Sequence, residues 1–225
     1  MKIKTSVLLI VLSLGSTQVS AQSFRKGSMI LSITEGTTRA IYRTENSAQY
    51  GCTIQTSEKT IDGVRDPFSF EYGISNKWGL GLSIGNDIFW VDNSLYMGRT
   101  YEKQPMIYST TSEFTFDLHY HLLSTKRTDF SLYGSLGAFG VNFNEKYKEQ
   151  DKTYDLEYKA SGQIIRVGGK LRYYFWKRLG AMVMYSAYRG CANNYKKNPE
   201  PITYPSYKTT ILGTALEFGL CFRLR

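Results

Sequence analysis

Between residues 164 and 176 apolar and polar positions alternate with a period of two. Ile165, Val167, Gly169, Leu171, Tyr173 and Phe175 fall on one face, and Arg166, Gly168, Lys170, Arg172 and Tyr174 on the other. A helix would scatter those charges around its circumference, whereas a strand sorts them onto two faces that meet different surroundings. Phe114, Phe116, Leu118, Tyr120 and Leu122 repeat the pattern against Thr115, Asp117, His119 and His121. Near the C-terminus Leu212, Leu216, Phe218, Leu220, Phe222 and Leu224 stand against Gly213, Glu217, Gly219 and Arg223.

Weaker runs of the same kind complete a set of eight predicted strands, at about 26–35, 66–75, 78–90, 110–123, 129–142, 162–176, 179–189 and 209–224. Only Asn76-Lys77, Lys177-Arg178 and the segment from Ser124 to Thr128 separate the close pairs. The other connections, 36–65, 91–109, 143–161 and 190–208, are long and polar. Short and long connections alternate, as they do when strands cross a bilayer with short turns on the inner side and long loops outside. An even number of strands returns the chain to the side where it began. Each run has the ~9–11 residues that a tilted strand needs to cross.

The faces fit that placement. Leu, Ile, Val, Phe and Tyr are set outward, and polar, charged or Gly residues inward; a soluble ligand-binding barrel would show the reverse. Trp78, Tyr120, Phe130, Phe175, Trp176 and Phe222 mark an aromatic girdle at the short-turn ends. Phe68, Trp90, Tyr108, Phe143, Tyr188 and Tyr207 mark a second at the long-loop ends. The expected fold is all-β: an eight-stranded antiparallel up-and-down transmembrane β-barrel.

The stretch Glu71-Tyr72-Gly73-Ile74-Ser75-Asn76-Lys77-Trp78-Gly79-Leu80-Gly81-Leu82-Ser83-Ile84-Gly85 resembles the strand–turn–strand unit of small eight-stranded outer-membrane β-barrel proteins of the OmpA/OmpX type. The final strand, Leu216 to Arg225, is similar to the C-terminal strand that barrel assembly machinery recognises in that family. The resemblance implies that role for Phe222, although here Arg223-Leu224-Arg225 follow it. It also implies residence in the outer membrane of a Gram-negative-type bacterium, with lipid, lipopolysaccharide and the assembly machinery as partners. It implies no activity, because fold does not fix function.

Composition narrows the picture further. The 225 residues are 15% aromatic, with 20 Gly and 5 Pro, which excludes a disordered chain. A mean hydropathy of −0.32 excludes a polytopic helical membrane protein. Residues 1–21 read as a cleaved secretory signal: Lys2 and Lys4, an apolar stretch from Val7 to Leu14, then Val19-Ser20-Ala21 before Gln22. Residues 22–225 are then the barrel, exported into an oxidising compartment.

Candidate chemistry lies inside the barrel or on its loops. The alternation directs Glu71, Asp87, Glu113, Asp117 and Glu217 into the lumen with Arg166, Lys170, Arg172 and Arg223. An eight-stranded barrel has room for its own side chains only, and buried charges must be paired. A salt-bridge plug is therefore expected, with a narrow ion path as the alternative. His119 and His121 also point inward. Two histidines at i and i+2 are a weak metal signal without a third ligand on their strand, so no metal and no cofactor is assigned. A lipid-modifying barrel enzyme using His119 or His121 as base is the catalytic alternative to a place in the lumen's polar network. Cys52 and Cys191 sit on the first and last long loops, which are neighbours in a closed barrel. They are a disulfide candidate, with free thiols as the other outcome, while Cys221 belongs in the lumen.

Lysines at 146, 148, 152 and 159 interleave with Tyr147, Tyr154 and Tyr158; Lys196, Lys197 and Lys208 accompany Tyr195, Tyr204 and Tyr207. The whole chain carries Lys+Arg 28 against Asp+Glu 19, so these basic loops suit an anionic extracellular ligand. Glu145, Glu149, Asp151, Asp155 and Glu157 dilute the third loop. No motif supports nucleic-acid binding. The sequence thus points to a monomeric, non-catalytic envelope protein, structural or acting through its surface loops.

Overall fold

The computed structural model describes residues 23–46, 55–91, 107–149, 152–198 and 207–224. These form β1 (Met29–Asn46), β2 (Gln55–Arg65), β3 (Phe68–Gly73), β4 (Trp78–Val91), β5 (Ile107–Ser124), β6 (Thr128–Glu149), β7 (Lys152–Tyr174), β8 (Leu179–Asn198) and β9 (Tyr207–Arg223). All pairings are antiparallel, and β1 pairs with β9, so the sheet closes on itself.

The nine segments occupy eight places in the wall. β2 and β3 both lie between β1 and β4 and share one register. Ile33 faces Phe68 and Gly36 faces Arg65 on one side, while Ile84 faces Phe68 and Asp87 faces Arg65 on the other. The break between them is Asp66-Pro67, where proline has no N–H to give to the ladder. Thr34 N still donates to the Pro67 carbonyl at 3.1 Å and Asp66 N to that of Asn86 at 3.1 Å, so the chain continues as one strand.

Closure has a definite stagger. From Ile33 the facing partners run through Phe68, Ile84, Phe114, Ala138, Gln163, Cys191 and Thr210, and arrive at Arg43, ten residues further along β1. Eight strands with that shift are tilted by about 40° to the barrel axis. Glycine permits close approach in the wall: a Cβ at Gly162 would lie 1.8 Å from the Cys191 carbonyl oxygen, and one at Gly36 would lie 2.0 Å from that of Leu216.

The expected short turns are present at 74–77, 125–127 and 175–178. Three of the four long connections are much shorter than expected, while that between β4 and β5 stays close to its expected length. β1 runs to Asn46 and β2 begins at Gln55; β6 and β7 fill most of 143–161; β8 runs to Asn198. The residues of the expected leader lie outside those described, as does Cys52.

Candidate functional site: the outer belt and the filled lumen

On the outside, exposed apolar side chains form a belt. On β4 it comprises Trp78, Leu80, Leu82 and Ile84, on β7 Tyr173, Leu171, Val167 and Ile165, and on β9 Phe222, Leu220, Phe218 and Leu216. Its height is about 20 Å given the strand rise and tilt, close to the ~25 Å apolar band of outer-membrane barrels. At the short-turn edge the expected girdle is in place. Trp78 and Tyr120 have ring centroids 4.7 Å apart, Phe175 and Trp176 5.2 Å apart, and Phe130 and Phe222 complete the ring. The second girdle is only partly formed. Trp90 faces outward, Phe68 stands within the belt, and Tyr188 turns into the lumen. The side chains of Tyr108, Phe143 and Tyr207 lie outside those described.

The architecture is that of a small outer-membrane-type β-barrel. Similar solved structures include the outer membrane protein OprG from Pseudomonas aeruginosa, at 14% identity and TM-score 0.45, covering 90% of this chain and 98% of that one. Ail, the attachment invasion locus protein of Yersinia pestis, is 16% identical with TM-score 0.37 and coverage of 86% and 99%. A major outer membrane protein from Thermus thermophilus is 10% identical with TM-score 0.46 and coverage of 84% and 99%. No protein-family model and no curated protein matches the chain.

Inside, the barrel is filled in layers from the short-turn mouth upward. At the mouth the segment ahead of β1 folds in. Ser23 and Phe24 are fully buried, Ser23 N donates to the Thr125 carbonyl, and Gly27, at φ 81°, turns the chain toward β1. The Phe24 ring stacks on His121 at 3.4 Å and 9°. Above it lies a first ionic cluster. His121 places Nδ1 2.7 Å from Asp129 Oδ1 and Nε2 2.7 Å from Glu71 Oε1, so that against two ionised carboxylates the doubly protonated ring donates at both ends. Arg172 donates to Asp129 Oδ2 at 2.9 Å and to Glu71 Oε2.

A second cluster fills the next level. Arg65 spreads its guanidinium over three carboxylates: Asp87 at 2.8 Å, Glu217 at 3.1 Å, and Glu113. Arg166 holds the other Glu113 oxygen at 2.8 Å and donates to Ser186 Oγ at 3.0 Å. Above this stands an apolar lid that includes Tyr42, Ile61, Phe89, Phe139, Ile164, Tyr188 and Ile211. Between lid and cluster lies a cavity of about 10 Å³, room for about one water molecule.

Of the expected lumen charges, Glu71, Asp87, Glu113, Arg166, Arg172 and Glu217 are buried and joined in these two clusters. Three depart from the expectation. Asp117 is buried but takes hydroxyl donors, Thr115 Oγ1 at 2.9 Å and Ser83 Oγ, instead of a base. Lys170 is buried over the Tyr133 ring at 5.3 Å without a carboxylate within ion-pair distance. Arg223 sits at the mouth, donating to the Ser23 carbonyl at 2.8 Å over the Tyr174 ring. Its strand ends there, below the last carboxylate layer.

Two members of the clusters were not legible as such. Arg65 lay in what read as a long loop, and Asp129 at the start of a strand beside a turn. His119 is buried against Tyr133, with Nδ1 3.8 Å from Glu71. Among the described residues Cys191 has no disulfide partner, with Cys52 outside them; it stands on the outer wall of β8 beside Thr210 instead of opening a loop, and Cys221 is buried in the lumen. Among the described residues no group of three or more His, Cys, Asp and Glu side chains could hold a metal ion.

Proposed function

We propose that the chain is a non-conducting, non-catalytic outer-membrane barrel that serves as a rigid scaffold for a rim standing above the bilayer. The observation that carries this reading is the continuous filling of the lumen, from Phe24 at one mouth through two ionic clusters to the apolar lid at the other. A hydrated ion path needs a connected polar channel, and here the polar layers are closed at each end by apolar side chains. Reconstitution of the purified protein in planar bilayers tests it: absence of conductance is expected, and stable openings would refute the plug.

Two observations support a surface role over lipid modification. His119 and His121 are enclosed in the lumen and committed to Glu71, Asp129 and Tyr133, out of reach of an acyl chain in the bilayer. β6 continues to Glu149, thirteen residues past Leu136 at the top of the belt, and β7 pairs with it throughout. That hairpin rises about 30 Å beyond the belt and carries Lys146, Lys148, Lys152 and Lys159 with three tyrosines. Lipopolysaccharide or another anionic glycan is the partner class this rim suits, bound by a monomer that the barrel assembly machinery has inserted through its last strand and Phe222. Mass spectra of lipid A from cells with and without the protein should be identical. A changed acylation pattern would favour the enzyme.

A further inference from the structure

The apolar belt is interrupted at one place. Glu35 on β1 lies on the rung of Phe218, inside the belt, and points outward. The flanking pairs Ile33–Phe68 and Gly36–Arg65 set it directly opposite Asp66, which also points outward. Because Thr34 and Pro67 form the hydrogen-bonding pair next to them, Glu35 and Asp66 occupy a non-hydrogen-bonded position, where facing side chains are closest. Like charges directly opposite are destabilising, and charge on a lipid-facing wall is costly and marks function by default. Among the described residues neither carboxylate has an ion-pair partner.

A second feature coincides with the pair. Proline at 67 cannot return the hydrogen bond that Thr34 gives it, so the Thr34 carbonyl has no ladder donor. Thr34, Glu35 and Asp66 all line the upper end of a groove of about 800 Å³ on the outer wall, whose lower part is walled by Ile33, Phe68, Phe218 and Phe222. From the Phe218 rung to Phe222 the groove runs about 13 Å along β9, which at the strand tilt is about 10 Å of depth, within the ~15 Å hydrocarbon depth of one leaflet. Its head offers three acceptors and no donor, two of them anionic.

We propose that this groove holds an amine-bearing amphiphile of the surrounding leaflet. Its ammonium group lies between Glu35, Asp66 and the Thr34 carbonyl, and its alkyl chain lies along Phe218 and Phe222. A primary ammonium supplies three donors and one positive charge, which complements the head of the groove, while the lower walls match only hydrocarbon. A hydrated cation would leave those walls uncovered.

The protein, purified from membranes in dodecyl maltoside, is titrated with tetradecylamine or tetradecanol and observed by native mass spectrometry. One amine per barrel is expected, at least tenfold tighter than the alcohol, with the preference abolished in E35Q/D66N. Equal retention of amine and alcohol, or undiminished amine binding by the double variant, overturns the proposal. So does calcium taken up at the pair without amine, or a dimer lost in E35Q/D66N, which would assign the face to an ion or to a second copy. If the double variant fails to fold, the amine-to-alcohol comparison on the unaltered protein decides alone. The inference rests on the barrel lying in a membrane; heat-modifiable mobility with no amine preference would sink the groove and leave the barrel standing.

Discussion

Arg65→Met is the sharpest test of the closed lumen. Arg65 is 2% exposed and contacts three carboxylates that are 0–5% exposed. After its removal Glu113 keeps Arg166 at 2.8 Å, but Asp87 keeps only the Thr111 hydroxyl at 3.1 Å and Glu217 only the Thr34 hydroxyl at 2.9 Å. Two buried carboxylates thus lose their only cation. Stripping one partner from a buried ion pair costs about 3–5 kcal/mol, and two orphans at one level put the expected loss at the top of that range. With a urea slope of about 2 kcal/mol per molar, the unfolding midpoint falls by about 2.5 M. Fluorescence of Trp78, Trp90 and Trp176 in vesicles reports the transition, and gel mobility before and after boiling reports the closed barrel. The triple variant R65M/D87N/E217Q removes both orphaned charges while leaving Glu113 to Arg166, and it should recover most of the loss. R65M within about 1 kcal/mol of the parent, or a triple variant no better than R65M, would show that water reaches this layer and that the plug is open.

Other substitutions probe the wall and the mouth. Gly162→Val drives a side chain into the backbone of β8, so a loss of at least about 1–3 kcal/mol and of the heat-modifiable form is expected. Gly134→Ala has open space around it and should be neutral, or stabilising by about 0.4–1 kcal/mol; comparable losses at both sites would remove the close-packing argument. Phe24→Ala empties a fully buried site stacked on His121, for about 3–5 kcal/mol, and should expose the segment around Ser23 to protease. Arg39→Ala breaks an exposed pair with Asp62, N–O 2.6 Å, and should leave the urea midpoint unmoved.

The barrel was legible wherever its two faces meet lipid and a charged lumen. That contrast gave Ile165, Val167 and Leu171 against Arg166, Lys170 and Arg172, and it placed six of the nine expected lumen charges in the clusters that hold them. Which acid meets which base was not legible, because partners such as Arg65 and Glu217 come from strands far apart in sequence and are matched only by the ten-residue stagger of the closed wall. The pairing of Asp117 with hydroxyls is of the same kind, since Ser83 reaches it from the neighbouring strand.

The upper halves of the strands were missed for a physical reason that can itself be read from sequence. Above the belt the outer face meets water while the lumen holds the apolar lid, so the polarity of the two faces is exchanged. On β7, Ala160 and Ile164 point inward against Lys159 and Gln163, and one residue later Ile165 points outward against Arg166. The period of two is unbroken, but its phase slips at the adjacent apolar pair Ile164-Ile165. Ile88 and Phe89 on β4 and Leu212 and Ile211 on β9 make the same change of sides. A search for one continuous apolar face stops at such doublets and assigns the residues beyond them to loops; β2 and Arg65 were lost instead at Asp66-Pro67, where a charge interrupts the outer apolar face and a proline the ladder. On β7 the doublet marks the level where the belt ends and the strand goes on. Ile164 and Ile211 belong to the lid, and Ile165 to the last apolar turn of the belt. Scanning for an unbroken period with a reversed phase, instead of for a single amphipathic stretch, recovers these strands at their full length.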